Sequence, residues 1–235
     1  MRIGSWTFAP RLVPTLAAAA FIALTGSLSR WQAHRAQEKD RRQHLYEERM
    51  AQPPLDLAGR VDSEAILFRR VRADGTWIAR KQVFVDNQVQ EGRAGFDVVT
   101  PLRIEPGGAV VLVDRGWVAR TAAYPEPPRV EVPAGRVEVQ GIAALPPARF
   151  LELQPSEAII GSVFQNLSLE RYRKWSGIDV LPVEVFADPA GPGLLAVHEQ
   201  PDAGADQNRQ YEATWFLLAA TAAALWVGLN LRRAQ

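Results

Sequence analysis

The chain has 235 residues, no cysteine and a formal net charge of +1 at pH 7. The missing cysteines exclude disulfides, thiolate zinc sites and CxxC redox centres. The nearly balanced charge, with no basic stripe interleaved with aromatic residues, argues against a nucleic-acid partner. The length allows one extramembrane domain of about 150–180 residues together with two membrane spans.

The first uncharged segment covers residues 12–29, between Arg11 and Arg30. As a helix it would be about 27 Å long, which is just enough to cross the hydrocarbon core of a bilayer. We predict a transmembrane helix here, followed by a polar helix over residues 31–50. A cleaved signal peptide is the alternative for this segment.

The second uncharged segment covers residues 213–231 and is followed by Arg232 and Arg233. Tryptophans near both of its ends are typical of side chains at a membrane interface. We predict a second transmembrane helix, with a buried core helix as the alternative.

The arginines near both chain ends place both termini in the cytoplasm and the intervening domain in the periplasm. Basic residues just after the first span oppose this orientation, but long domains cross the membrane largely regardless of their charge. The predicted regions are a cytoplasmic terminus (1–11), a span (12–29), an extracytoplasmic β-rich domain (30–212), a span (213–231) and a cytoplasmic terminus (232–235).

The region between residues 77 and 118 contains three β-rich runs separated by two glycine-containing turns. This pattern predicts an antiparallel meander, with Pro101 at a sheet edge or a bulge because it has no amide donor. We predict a membrane-anchored α+β protein, in which two transmembrane helices flank a mainly antiparallel, barrel-like extracytoplasmic domain. Further predicted strands are at 65–72, 136–143, 162–167, 180–187 and 194–199, and the strand at 136–143 alternates valines with polar residues. A hairpin turn is predicted at 74–75 and a polar linker at 200–210. A short helix through Trp175 is predicted to be capped by Ser168 and closed by Gly177.

Signatures of common catalytic sites are missing from the sequence, which has no G-x-S-x-G, P-loop, HExxH or G-x-G-x-x-G pattern. His34 and His44 are ten residues apart and therefore do not share a helix face as paired metal ligands would. We interpret them as structural or solvated, and we predict no metal site. Asp86 and Asp114 are interpreted as structural, since nothing else in the sequence converges on them; an extracytoplasmic hydrolase is the alternative that would use them.

Seven short blocks occur in order along the chain, namely WQAHR (31–35), FRRVRADGTW (68–77), GFDVVTPL (95–102), VVLVDRGWV (110–118), GRVEVQG (135–141), VFQNLSLERY (163–172) and YEATWF (211–216). Together they resemble the surfeit-locus family, the membrane-bound assembly factors of haem-copper cytochrome c oxidase. The resemblance implies a protein of a bacterial-type inner membrane that is not an enzyme and that assists haem insertion into the catalytic subunit of the oxidase or stabilises that subunit. It also implies three partners, namely that subunit, haem A synthase and the lipid bilayer, and haem A as a cofactor held transiently or not at all. A periplasmic binding or adaptor module of another membrane complex, without haem, is the alternative.

The resemblance also directs attention to the residues just before the second span. Members of the family carry a histidine, their suspected haem ligand, three residues before the tyrosine that corresponds to Tyr211. In this chain Asn208 occupies that position, and asparagine is a poor ligand for haem iron. His198 could replace the histidine only if the 200–210 linker folds back.

Arg115 and Trp117 form the other candidate site, because residues two apart share a strand face. Such a pair could meet a haem propionate and the porphyrin plane. An intramolecular cation–π pair that closes the barrel, with Gly116 allowing close backbone approach, is the alternative. The candidate cofactor-binding residues are therefore His198, Arg115, Trp117 and Tyr211.

Overall fold

The computed structural model describes residues 2–3, 6–59, 61–146, 159–197 and 204–233. The chain divides into a helical unit (Met1–Leu45 and Pro201–Gln235) and a β unit (Tyr46–Gln200). In chain order the elements are β1 Arg2–Ile3, β2 Trp6–Phe8, α1 Leu12–Met50, β3 Leu55–Asp56, α2 Ser63–Ile66, β4 Arg70–Trp77, a 3₁₀ turn Ala79–Lys81, β5 Val83–Gln90, β6 Arg93–Ile104, β7 Val110–Ala119, β8 Arg136–Ala144, β9 Ile159–Ile160, β10 Val163–Phe164, α3 Leu169–Ser176, β11 Glu184–Ala187, α4 Ala205–Asn230 and β12 Leu231–Arg233.

The helical unit contains both uncharged segments, within α1 and α4. By length and composition both helices can cross a membrane, and none of the most apolar 18-residue stretch of α4 is buried. A core helix would bury that stretch, so the core-helix alternative for α4 is wrong. Whether the first segment is cleaved stays a hypothesis.

Polar residues beside both uncharged segments extend the two long helices. The polar helix after the first segment is confirmed, since α1 continues without a break to Met50. The predicted linker at 200–210 is wrong over its second half, because α4 begins at Ala205. Residues 205–212 contain neither proline nor glycine, so nothing in their sequence stops the helix from extending beyond the apolar stretch.

The β unit is organised around a closed five-stranded barrel. Its strands follow the order β4-β8-β11-β7-β6, and a direct pairing of β4 with β6 closes the ring. Strands β5, β10 and β9 extend the sheet from β6, and β3 pairs with β4. Most pairs are antiparallel, while β3–β4, β10–β5 and β11–β7 are parallel. The barrel-like, mainly antiparallel domain is therefore confirmed.

The barrel interior is filled by small and branched side chains, and α3 covers a second cluster beside it. The first cluster includes Val71, Leu102, Val111, Val113 and Val185; the second includes Val83, Leu112, Phe164, Tyr172 and Val180.

The predicted helix α3 is confirmed at both ends. The Ser168 hydroxyl accepts a hydrogen bond from the Arg171 amide at 3.2 Å, and Gly177 adopts a left-handed conformation.

The seam between β4 and β6 overturns the predicted hairpin turn at 74–75. Gly75 lies inside β4, opposite Ile104, and a Cβ atom at this position would lie 2.1 Å from the Arg103 carbonyl oxygen. The glycine thus serves close backbone approach rather than a turn. The preceding strand prediction is wrong in its first half, because Asp62 caps the short helix α2 (Ser63–Ile66).

Pro101 lies within β6, at the point where this strand changes partner. The pairing of β6 with β5 ends at Val99, and the pairing of β6 with β4 starts at Leu102. The missing amide of Pro101 therefore costs no strand hydrogen bond on that side, and its carbonyl accepts from the Ile78 amide at 2.9 Å. The proline lies at a local gap between partner strands rather than at an outer edge.

Three other predicted strands are shorter than the sequence indicated. The observed ranges are Val163–Phe164 for β10 and Glu184–Ala187 for β11, and Leu195 forms only a bridge with Trp117. Residues 198 and 199 of the predicted last strand lie outside the described residues. These stretches have a high β propensity, but the closed barrel offers them few strand partners, so their strands are short.

Gly116 is the second glycine whose position depends on close approach. Its φ is +128°, and a Cβ would lie 2.6 Å from the Leu195 carbonyl oxygen and 2.9 Å from the Leu194 Cβ. We predict that Gly116→Ala lowers the free energy of unfolding by about 2–5 kcal/mol, the sum of backbone strain and overpacking. Chemical denaturation of the full chain in detergent micelles measures this loss.

Gly107→Ala provides the matched control. Gly107 has a similar φ of +116°, but no atom lies within 4 Å of the position that a Cβ would occupy, so its substitution introduces strain alone. The two variants should therefore differ by about 1–3 kcal/mol. Equal losses would show that the space around Gly116 is irrelevant.

Candidate functional site

Arg115 is the most enclosed cation among the predicted site residues. It lies on β7 and is 2% exposed. Its Nη1 donates to the Gln82 side-chain oxygen at 3.0 Å, and its Nη2 donates to the Glu131 carbonyl oxygen at 2.9 Å. Its guanidinium lies 5.5 Å from the centre of the Trp77 ring, which is within cation–π range. Burial lowers the pKa of Arg115.

A cavity of about 300 Å³ in the β unit opens onto Arg115. Its lining comes from the end of β4, the middle of β8 and the loop after β11, so strands far apart in sequence converge there. The lining residues are Trp77, Arg115, Pro133, Val137, Glu138, Val139, Gln140, Ala187, Pro189, Gly191 and Pro192. The arrangement is a mostly apolar recess with one cation in its wall, which is typical of a small-molecule site.

Trp117 does not line this cavity. It is 2% exposed, its indole nitrogen donates to the Gln88 carbonyl at 3.1 Å, and the Arg93 guanidinium lies 5.6 Å from its ring. The aromatic partner of Arg115 is thus Trp77 rather than Trp117. The predicted pair therefore does not form one ligand platform, because the irregular backbone at Gly116 interrupts the regular alternation of side chains.

Sequence reasoning did not identify Trp77, Gln82 or Gly191 as neighbours of Arg115. Trp77 stands at the end of a strand, and Gly191 belongs to the proline-rich loop between the strands predicted at 180–187 and 194–199. Their convergence depends on barrel closure, which local patterns do not encode. The one available signal was the aromatic residue at the start of the central β-rich region.

Three carboxylates approach one another on the other side of β7. Asp114 is buried, and its Oδ1 accepts from the Gly116 amide at 2.8 Å. Burial, reinforced by the negative charges of Asp97 and Glu184, raises the pKa of Asp114 well above its usual range. Burial also raises the pKa of Asp97 to about 7. Ionisation of these acids therefore places mutually repelling negative charges close together in the folded state.

Asp86 belongs to a separate and fully paired network. Its Oδ1 accepts from Arg120 Nη2 at 2.6 Å, and its Oδ2 accepts from the Tyr124 hydroxyl at 3.2 Å. The Arg120 guanidinium also lies 4.0 Å from the centre of the Tyr124 ring. These contacts agree with the structural interpretation of Asp86.

In the helical unit, the side chain of Asn208 is engaged by the first helix. Its Nδ2 donates to the Gln32 side-chain oxygen at 2.6 Å, and Gln32 belongs to the WQAHR block. One turn further along, Ser29 donates to the Glu212 carbonyl at 3.1 Å. Polar contacts of this kind fix the register of two apolar helices.

The other predicted residues of this region do not gather into a site. Tyr211 is 49% exposed, and His34 and His44 are both exposed on α1. His198 lies outside the described residues. Within the part of the chain that the structure describes, no group of three or more histidine, aspartate or glutamate side chains could hold a metal ion.

Known proteins match this chain over residues of both the helical unit and the β unit. A model of the SURF1 family matches residues 19–220. The chain belongs to the SURF1 family. Members of this family are known as cytochrome c oxidase assembly factors.

Individual SURF1 proteins are similar along most of their length. A SURF1-like protein of Monosiga brevicollis is 26% identical over 223 residues, which cover 88% of this chain and 84% of that protein. Surfeit locus protein 1 of Takifugu rubripes is 25% identical over 237 residues, covering 90% and 94%. The mouse protein of the same name is 25% identical over 221 residues, covering 88% and 72%.

Haem, which SURF1 family resemblance implies, does not fit the position before Tyr211 in this chain. An amide nitrogen offers no available lone pair to iron, and the Asn208 amide is already donating to Gln32. The described histidines, His34 and His44, are exposed on α1. No step through haem is therefore derived at this position.

The raised pKa of Asp97 leads to a pH-dependent stability. Because its folded pKa of about 7 exceeds the ordinary aspartate value of 3.8, the folded state binds this proton more tightly, and stability decreases as pH rises from about 4 to 7. We predict that Asp97→Asn removes this loss, so that the variant gains roughly 1–3 kcal/mol over the wild type at pH 8 compared with pH 4.5. Melting temperatures at the two pH values measure the difference.

Glu126→Gln is the control for this comparison, since it neutralises an exposed acid in the same unit. Its stability relative to the wild type should change little between pH 4.5 and 8. A constant gap between Asp97→Asn and the wild type at both pH values would contradict the assigned role of Asp97.

Proposed function

We propose that this protein is an assembly factor for haem-copper cytochrome c oxidase that stabilises the catalytic subunit during its maturation. The observation that supports this function is the family match across residues 19–220, which takes in the barrel, most of α1 and the first part of α4. A match restricted to the barrel would support only a shared fold. The role is one of binding rather than catalysis, and the protein is not proposed to be an enzyme.

The proposed mechanism is that the two helices hold partner helices within the membrane. Helix α4 exposes large apolar side chains, including Phe216, Leu217 and Leu229. Ala220, Ala224 and Gly228, spaced four residues apart, are also exposed on α4. Small residues at this spacing let helix backbones approach closely in a bilayer. The lipid bilayer and the catalytic subunit are the partners of this surface.

Haem A and haem A synthase belong to the same proposal as more distant partners. The resemblance favours haem A as the group being inserted. Asn208, three residues before Tyr211, is a poor ligand for haem iron and argues against tight haem binding there. The proposed division of labour leaves haem with the synthase and the oxidase, and this protein holds the subunit that receives it. Contact with haem A is then transient or absent.

The proposed location is a bacterial-type inner membrane, with the β unit in the periplasm. Two helices long and apolar enough to cross a membrane flank the β unit in sequence. Arg232 and Arg233 follow the second helix and favour a cytoplasmic C-terminus.

The function is tested in a bacterium that makes a haem A-containing oxidase and lacks its own SURF1 family gene. We expect this chain, supplied with an affinity tag, to restore the oxidase spectrum of the membranes and to co-purify the catalytic subunit without stoichiometric haem. Mass spectrometry and Soret absorbance of the purified protein measure the two parts. The same strain with an empty vector is the control.

Each other outcome has a distinct meaning. Neither restoration nor co-purification would contradict the proposed function and favour an adaptor for another complex. Stoichiometric haem that disappears in Asn208→Ala would contradict the holding mechanism and make Asn208 part of a haem site.

The orientation is tested with a reporter enzyme that is active only in the periplasm. Fused after Gln140 the reporter should be active, and fused after Gln235 it should be inactive, because both termini are proposed to be cytoplasmic. A cytoplasm-specific reporter at the same two positions should give the opposite pattern. Periplasmic activity at Gln235 would contradict the topology.

A further inference from the structure

The buried guanidinium of Arg115 has only uncharged acceptors in the described residues. Its hydrogen bonds go to an amide oxygen of Gln82 and a backbone carbonyl of Glu131, and its third neighbour is the Trp77 ring. It forms no ion pair with any carboxylate of the residues that the structure describes. A buried charge without a counter-charge is costly, and an anion bound in the adjoining cavity would supply that counter-charge.

The one acid in the cavity wall does not supply this counter-charge. Glu138 accepts from the Gln140 side chain at 2.7 Å, and its charge acts on Arg72. The pKa of Arg115 is lowered by burial alone, with no carboxylate raising it. Glu138 therefore contributes negative charge to the cavity wall without neutralising the arginine.

Gly191 lies beside the guanidinium in the cavity wall, where a side chain would crowd it. A Cβ atom at this position would lie 3.3 Å from Arg115 Nη2 and 3.4 Å from its Nε. Nε donates no hydrogen bond among the described residues, yet it is not a fully buried atom. An arginine offers five N–H donors, of which the two hydrogen bonds from Nη1 and Nη2 use only part. Nε and the adjacent N–H of Nη2 are the pair of donors from which a planar carboxylate accepts two parallel hydrogen bonds.

The cavity wall also defines the charge and shape of the ligand. The wall of this recess of about 300 Å³ contains one cation and one acid, which favours a single negative charge over a phosphate dianion. Trp77, Val137, Pro189 and Pro192 supply apolar surface for the rest of the molecule. This volume is at the lower end of the range of small-molecule sites.

We propose that this cavity is a binding site for a small organic monocarboxylate, whose carboxylate pairs with Arg115 and whose apolar body lies against Trp77 and the neighbouring prolines. The site lies wholly within the β unit and does not depend on the oxidase role. Oxidase assembly is measured by complementation, whereas ligand binding is measured on the purified protein. A negative result for one proposal therefore does not contradict the other.

The test uses two pairs of probes that differ only in charge, with the full chain in detergent micelles. Indole-3-acetate is compared with indole-3-acetamide, and cyclohexanecarboxylate with its carboxamide, by isothermal titration calorimetry and thermal shift. We expect at least one carboxylate to bind and to raise the melting temperature, and its amide to bind at least tenfold more weakly. Equal binding of acid and amide, or binding of neither acid, would overturn the proposal.

Variants then locate the site. Arg115→Gln removes the charge, and Gly191→Val fills the space beside Nε without requiring an unusual backbone angle. Both should weaken carboxylate binding at least tenfold, whereas Arg80→Gln, which removes an exposed arginine, should leave it unchanged. If Arg115→Gln does not fold, the binding measured for Gly191→Val decides whether the ligand occupies this cavity. Undiminished binding in Gly191→Val would place the ligand elsewhere and contradict the proposal.

Discussion

The seam between β4 and β6 is the contact on which the β unit depends. It turns an open sheet into a barrel, and it is possible only because Gly75 has no side chain to meet the Arg103 carbonyl. Strand β6 can serve two neighbours in succession because Pro101, which has no amide to pair, lies at the changeover. Closure then brings the end of β4, and with it Trp77, to the same cavity as Arg115.

Strand β7 carries a buried acid and a buried base side by side, and the fold keeps them apart. Asp114 is directed towards Asp97 and Glu184, while Arg115 is directed towards Gln82, Trp77 and the cavity. An ion pair between neighbouring residues would have been less costly than two separate buried charges. Such a local conflict between sequence and stability is typical of places where function constrains a structure.

Local patterns predicted those elements whose signals are themselves local. The cap at Ser168, the left-handed Gly177 and the alternation along β8 each depend on a few neighbouring residues, and the structure confirms them. The Asp74-Gly75 turn was wrong because the same dipeptide suits a hairpin and a close strand contact, and only tertiary pairing distinguishes the two. The site was predicted in part for the same reason. Arg115 stood out in the sequence, but its partners come from three distant segments.

The helices show a related limit. Apolar length predicted both of them, but the start of α4 at Ala205 depends on polar residues that have no strong signal against a helix. The side-chain contact between Asn208 and Gln32 joins residues 176 positions apart. Neither residue suggests the other in the sequence, although Gln32 lies within a block that resembles the family and Asn208 lies just before another.

Hydrogen exchange across the seam tests most directly whether barrel closure organises the β unit. The Ile78 amide donates to Pro101 and the Glu105 amide donates to Asp74, each at 2.9 Å, so both amides report on closure. In the full chain they should exchange slowly, and in Gly75→Ala both should lose protection together, while Gly107→Ala leaves them protected. Unchanged protection of these two amides in Gly75→Ala would contradict the account.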